Sequence, residues 1–170
     1  MPQRLFLLDA YALIYRAYYA FIKAPRIDSQ GRNTSAIFGF VLMLEDLLGK
    51  EQPDELAVVF DPAGGTFRHR EYPDYKAQRE ETPEGIRIAV PIIRQLLEAY
   101  RIPAVEVADY EADDVIGTLS KQAASAGREV YMVTPDKDYG QLVTEQVKMY
   151  RPMQGGGYEV WGEKEILEKF

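Results

Sequence analysis

The stretch Arg4-Leu5-Phe6-Leu7-Leu8-Asp9-Ala10-Tyr11-Ala12-Leu13-Ile14 decides how the rest of the chain is read. Residues 4–8 suit a short strand buried on both faces, as in the middle of a parallel sheet. Asp9 closes it. From Ala10 to Phe21 the residues Leu13, Ile14, Ala17, Tyr18 and Phe21 recur at spacings of three and four, which predicts a helix. A buried strand, an acid and a helix in direct succession make a strand-to-helix unit whose acid lies at the strand's carboxyl end.

The pattern returns along the chain. Asn33-Thr34-Ser35 offers N-caps for a helix to about Gly49. Glu55–Phe60 reads as a strand ending at Asp61. Thr82-Pro83-Glu84 opens a helix to about Tyr100, with proline expected in its first turn. A short strand over Pro103–Val107 precedes a helix over 111–125, headed by Glu111, Asp113 and Asp114. Residues 129–133 form a strand followed by Asp136 and Asp138, and 138–143 suit one helical turn. Val147–Tyr150 and Tyr158–Trp161 suggest short strands around Gly155-Gly156-Gly157, and Glu163–Phe170 begins a last helix. Alternating strands and helices predict an α/β fold, a mostly parallel twisted sheet with helices on both faces. One domain over 1–170 is expected at this length. The last helix meets no Gly or Pro stop, so a longer parent chain is expected.

Composition narrows the chemistry. There is no cysteine, which excludes disulfides, zinc fingers and thiol nucleophiles. No apolar run approaches the ~20 residues of a membrane span, and no signal peptide is predicted. A cytoplasmic monomer is expected. The net charge of −7 argues against a protein that coats DNA nonspecifically.

Ligands of open α/β sheets bind beyond the carboxyl ends of the strands, where Asp9, Asp61, Glu111, Asp113, Asp114, Asp136 and Asp138 are all predicted to lie. One crowded anionic pocket follows. Two carboxylates ~5 Å apart repel by roughly 3 kcal/mol at an effective dielectric of about 20, so a cation is expected. Taken singly, each acid has a plainer reading: Asp9 as a helix cap, Asp61 before Pro62 as a turn former, the 111–114 acids as first-turn residues favoured by the helix dipole. On a helix, Glu111 and Asp114 share a side and Asp113 points elsewhere. An extended Asp136-Lys137-Asp138 puts both aspartates on one side. With oxygen ligands throughout, Mg2+ or Mn2+ is expected rather than zinc or copper. So many carboxylates suit two ions ~4 Å apart on a phosphodiester better than one.

Residues 62–82 carry little apolar periodicity and are dense in Arg68, Arg70, Lys76 and Arg79. Arg68, Lys76 and Arg79 suit phosphate neutralisation, and Phe67, Tyr72 and Tyr75 suit stacking on bases. Arg70 and His69 read as ordinary surface residues. Arg16 reads as an exposed helix residue, the Tyr18-Tyr19 pair as packing, and Trp161 with the glycine turn as structural.

The stretches Leu8-Asp9 with Ile14-Tyr15-Arg16-Ala17-Tyr18, Val59-Phe60-Asp61, Thr66-Phe67-Arg68 and Tyr75-Lys76 with Arg79 match, in order, those of a known family. So do Tyr110-Glu111-Ala112-Asp113-Asp114-Val115-Ile116-Gly117-Thr118-Leu119 and Asp136-Lys137-Asp138 with Gln141-Leu142-Val143. The chain resembles the 5′-nuclease (5′-3′ exonuclease) domain of bacterial DNA polymerase I, in the flap-endonuclease family. The resemblance implies a PIN-like (Rossmann-like) fold and two-metal hydrolysis of DNA, and of RNA primers, at a 5′ flap or nick. It implies that Asp9, Asp61, Glu111, Asp113, Asp114, Asp136 and Asp138 bind metal. Lys76 and Arg79, at the foot of an arch over about 62–82, would act on the scissile phosphate with Asp114 and Asp136. Arg16, Arg68 and Tyr75 would contact substrate. Covalently linked polymerase domains are the implied partners. Asp9-Ala10-Tyr11 stands where the family often has Asp-Gly-Ser, and Pro135 where it usually has Gly. The family's Gly-Asp-x-x-Asp-Asn run and helix-hairpin-helix region are missing, so the second metal site is expected to be incomplete and cleavage weak. A receiver-type phosphoacceptor domain and a non-catalytic nucleic-acid binder are the alternative readings.

Overall fold

The strands form one six-stranded sheet in the order β3-β2-β1-β4-β5-β6. The computed structural model describes residues 1–71 and 81–170. In chain order the elements are β1 (Arg4–Asp9), α1 (Ala10–Ala20), α2 (Ser35–Glu51), β2 (Glu55–Phe60), α3 (Phe67–Glu71), α4 (Glu84–Tyr100) and β3 (Ala104–Glu106). They continue with α5 (Ala112–Ser125), β4 (Glu129–Val133), a 3-10 helix (Lys137–Leu142), β5 (Val147–Pro152), β6 (Tyr158–Trp161) and α6 (Glu163–Lys169). All pairings are parallel except β5 with β6, which are antiparallel around the glycine turn. Gly155, Gly156 and Gly157 all hold positive φ there, a backbone that side chains resist.

The pleat divides the core in two. Phe6, Leu8, Val58, Phe60 and Val133 face α1, α2 and α4. Leu7, Val59, Val130, Met132 and Met149 face α5, the 3-10 helix and Trp161. Successive strand residues point to opposite faces, so a strand apolar throughout needs both faces covered, as β1 here does. The helices expected from spacing form. In α4 Ile86, Ala89, Ile93 and Leu97 are buried. That helix continues through Pro91, which faces solvent together with Arg87. The Arg87 carbonyl that loses its intrahelical partner therefore has water within reach. Pro83 occupies the N-cap of α4 rather than its first turn. Gly39 of α2 lies so close to α1 that a Cβ there would sit 2.7 Å from the Ala17 Cβ.

The order of the strands makes the site. From β1 the chain steps outward through β2 to β3 with α1, α2 and α4 on one face. Then α5 carries it back across the other face to β4, on the far side of β1. The direction of winding reverses between β1 and β4, which opens a crevice at their carboxyl ends. Register places Val133 beside Leu8 and Val59 beside Asp9, so Asp9, Asp61 and Asp136 all emerge at that edge. Among the described residues no helix is long and apolar enough to cross a membrane.

Candidate metal centre

The expected acids meet in two adjoining cavities rather than one. Asp9, Asp61, Glu111, Asp113 and Asp136 line a space of about 500 Å³. Asp113, Asp114 and Asp138 line a second of about 350 Å³, with Arg68, Thr118 and Lys121. Asp113 and Tyr139 belong to both. Separation begins after β4. The backbone does not stay extended at 136–138: Asp136 caps the 3-10 helix, and its Oδ1 accepts from the Asp138 N–H at 2.9 Å. The tight turn sends the two aspartates into different cavities, against the shared side an extended backbone predicts.

At the head of α5, oxygens of Glu111, Asp113 and Asp114 all lie within 4.8 Å of one another. Asp113 therefore joins its neighbours and does not point away from them, because the first turn leaves its side chain free to fold back over the helix end. The cap reading is also partly correct. Asp114 Oδ2 accepts from the Glu111 N–H at 3.0 Å, and Asp61 Oδ1 accepts from the Ala112 N–H at 2.8 Å. Thus Asp61, arriving from β2, satisfies one of the N–H groups that a helix start leaves unpaired.

Asp9 stands at the N-cap of α1 without a side-chain cap bond. Its Oδ2 instead accepts from the Tyr139 hydroxyl at 3.0 Å and the Thr134 hydroxyl at 3.3 Å. Burial, and then the charge of Asp61, push its carboxyl up to about 7, against the opposing effect of the Tyr139 hydroxyl, the Ala12 backbone N–H and the Thr134 hydroxyl. Burial and the neighbouring Asp114 and Glu111 also raise Asp113. Burial and the charge of Asp9 raise the Tyr139 hydroxyl in turn. The crevice thus concentrates negative charge in a place where water shields it poorly.

Arg68 answers part of that charge. Its Nη1 lies 2.8 Å from Asp114 Oδ2 and 3.1 Å from Glu111 Oε2, and its Nη2 lies 2.8 Å from Asp114 Oδ1. The fork is bidentate, the geometry that suits Arg to a carboxylate. Its hydrogen bonds to Asp114 raise its already high pKa. The short helix α3 is fastened over the same place: the Phe67 N–H reaches the Asp109 carbonyl at 3.1 Å, the Phe67 and Tyr110 rings are 5.6 Å apart, and Arg70 pairs with Asp109. Arg68, expected at phosphate, is paired with two carboxylates of the cluster. Arg70, expected as an ordinary surface residue, is exposed and pairs with Asp109.

Arg16 lines neither acidic cavity and donates to the Met153 carbonyl at 2.7 Å. Tyr75, Lys76 and Arg79, with Tyr72, lie outside the described residues. The Tyr18-Tyr19 pair divides: Tyr18 packs against the core beneath Gly85, while Tyr19 lines the larger cavity with Tyr11 and Tyr15. These three recur every fourth residue on α1, a spacing readable in the sequence. Glu81, Tyr139 and Thr134 were not singled out from sequence. Glu81 lines the larger cavity, and only its acid type in a basic segment signalled it. No periodicity marks Tyr139 or Thr134, because their hydroxyls matter only once β1 and β4 are adjacent.

A doubly wound α/β domain with clustered carboxylates at its switch point defines a class of acidic-crevice domains. Comparison with known proteins places the chain within that class. Residues 4–170 match the family described as 5'-3' exonuclease, N-terminal resolvase-like domain, and the chain belongs to that family. A 5'-3' exonuclease of Aquifex aeolicus is 39% identical over 166 residues, covering 98% of this chain and 56% of that protein. DNA polymerase I of Geobacillus stearothermophilus is 38% identical over 172 residues, covering 100% of this chain and 19% of that protein. The chain thus spans just over half of one relative and about a fifth of the other. T5 5'-exonuclease with bound zinc superposes with a TM-score of 0.70 at 18% identity, over 98% of this chain and 60% of that one. The catalytic core of Rad2 in complex with DNA gives 0.54 at 20%, over 98% and 50%. The fold is the PIN-like fold of the flap endonucleases.

Proposed function

We propose that this chain is the divalent-metal-dependent 5′-3′ exonuclease and flap-endonuclease domain of a DNA polymerase I. It would act on DNA at a 5′ flap or nick and on RNA primers. One observation carries the reading: acids from four strand ends converge on the switch point, and one of the two that are buried there, Asp9, is pushed up to about 7. A folded protein keeps such a cluster when a cation neutralises it in use. The donor set fits a hard divalent cation, since every candidate ligand is a carboxylate oxygen. The A. aeolicus and G. stearothermophilus relatives bear the names of that exonuclease and that polymerase, and the T5 exonuclease carries a divalent metal. Mg2+ or Mn2+ is the cation proposed.

Asp9, Asp61, Glu111, Asp113 and Asp136 would hold cation in the larger cavity, and Asp113, Asp114 and Asp138 in the smaller. When bound, the cation supplies charge neutralisation and Lewis acidity to phosphodiester hydrolysis. The protein's own groups do the rest. Tyr11, Tyr15 and Tyr19 present one wall of the cavity on which nucleotide bases can stack. Tyr75, Lys76, Arg79, Arg16 and Arg68 would contact the substrate strand, Lys76 and Arg79 nearest the scissile phosphate. Arg68 holds Asp114 in place and adds positive charge beside it. Residues 1–170 act as one domain with an arch over about 62–82, monomeric and cytoplasmic, linked to polymerase domains in the parent protein.

A 5′-labelled flap duplex tests this. Slow cleavage at the junction is expected with Mg2+ or Mn2+, and none with EDTA or in Asp114→Ala and Asp136→Ala. Cleavage that survives EDTA or both substitutions, or the absence of both cleavage and divalent-ion binding, refutes the proposal.

A further inference from the structure

Tyr139 has no place in the sequence pattern of the acids, yet it is almost fully buried between both cavities. Its hydroxyl donates to Asp9 Oδ2. Thr134, fully buried, donates to the same oxygen and accepts from the Asp136 N–H at 3.1 Å. Asp136 Oδ1 in turn accepts from the Asp138 N–H. A continuous chain of hydrogen bonds therefore runs from the Asp138 backbone through Asp136 and Thr134 to Asp9, and Tyr139 closes on the same end. It links the acid at the end of β1 to the acids after β4, which no backbone pairing does beyond Val133.

We infer that Tyr139 is a positioning residue for the cation site, and that with Thr134 it turns the Asp9 carboxylate so that Oδ1 is the oxygen offered to a divalent ion. This rests on the metal-dependent reading above and adds to it the groups that aim one ligand. The physical reason is specific. A buried carboxylate with one free rotor can face a cation with either oxygen or both. Two hydroxyls on Oδ2 satisfy that oxygen and remove the choice. Groups that orient a ligand in this way typically change metal affinity about 10–100-fold when lost.

Calorimetric titration with Mn2+ alone, without DNA, tests the inference on the full chain. Tyr139→Phe keeps the ring and removes only the hydroxyl, and at least about tenfold weaker Mn2+ binding is expected. Tyr150→Phe is the control. Its hydroxyl also donates to a carboxylate, Glu51 Oε2 at 2.8 Å, but Glu51 is held by Arg4 at the opposite end of β1 from Asp9, and losing that hydroxyl should leave Mn2+ affinity unchanged. If Tyr139→Phe does not fold, Thr134→Val against Thr134→Ser carries the same test: loss with Val, recovery with Ser. Near-wild-type affinity in Tyr139→Phe, an equal loss in Tyr150→Phe, or an equal effect of Val and Ser at 134 overturns the inference. Failure of the unaltered protein to bind Mn2+ is a different result, and overturns the metal reading itself.

Discussion

Replacing Asp9 by Asn removes a charge that the metal-free fold disfavours. The carboxyl moves from 3.8 to about 7, mainly through burial and then through Asp61. A carboxyl raised on folding binds its proton more tightly in the native state. Stability is therefore lost as pH rises from the unfolded value through the folded one, and above that it levels off. The interval is about three pH units, and each unit is worth about 1.4 kcal/mol. Asp9 thus costs the metal-free protein on the order of 4 kcal/mol above neutrality. Asp9→Asn does not carry this cost, although its amide needs a new partner, a penalty of about 1–3 kcal/mol that does not depend on pH. The readout is thus a slope rather than a single difference. In urea unfolding from pH 4 to 9 with EDTA, the stability of Asp9→Asn relative to the parent should climb with pH up to about 7 and then flatten. Saturating Mg2+ should raise the parent more than the variant. Parallel profiles across the whole range would refute the account of Asp9 as a buried charge awaiting a counter-ion.

Arg68→Met deletes the bidentate contact to Asp114 and the contact to Glu111. A part-exposed ion pair within a charge cluster should be worth about 1–3 kcal/mol to the metal-free protein at low salt, and less at 1 M NaCl. Urea unfolding at the two salt concentrations checks this, and a salt-independent loss would point to lost packing instead. Gly39→Ala would improve helix propensity by roughly 1 kcal/mol, but its Cβ would lie 2.7 Å from Ala17 Cβ. Forcing α1 and α2 apart should outweigh that gain and leave a net loss of about 1–3 kcal/mol, so a stabilised variant in urea would count against the close helix contact.

Much of the fold was legible because its signals are local. The β2 limits predicted from Leu56-Ala57-Val58-Val59-Phe60 coincide with those observed, as do the limits of β4. Apolar spacing reports which side of an element is buried, and that depends only on the element's own period. The site was legible as a list of acids, since each follows a strand. Its division into two cavities was not, because a 3-10 turn at 137–142 and an extended run look alike in a segment so short. Nor was the pairing of Arg68 with Glu111 and Asp114, which lie more than forty residues away. The resemblance to the family assigned roles to Tyr75, Lys76 and Arg79 that the described residues leave as proposals.

By itself the sequence determined an α/β chain with carboxylates at successive strand ends, because hydrophobic period and strand-ending acids are written in consecutive residues. Only the tertiary structure decided that β1 lies between β2 and β4, and hence that Asp9 meets Asp61, Thr134 and Tyr139. Strand order depends on contacts between distant segments competing for the same faces. A hydroxyl 130 residues from Asp9 becomes its partner through that competition alone.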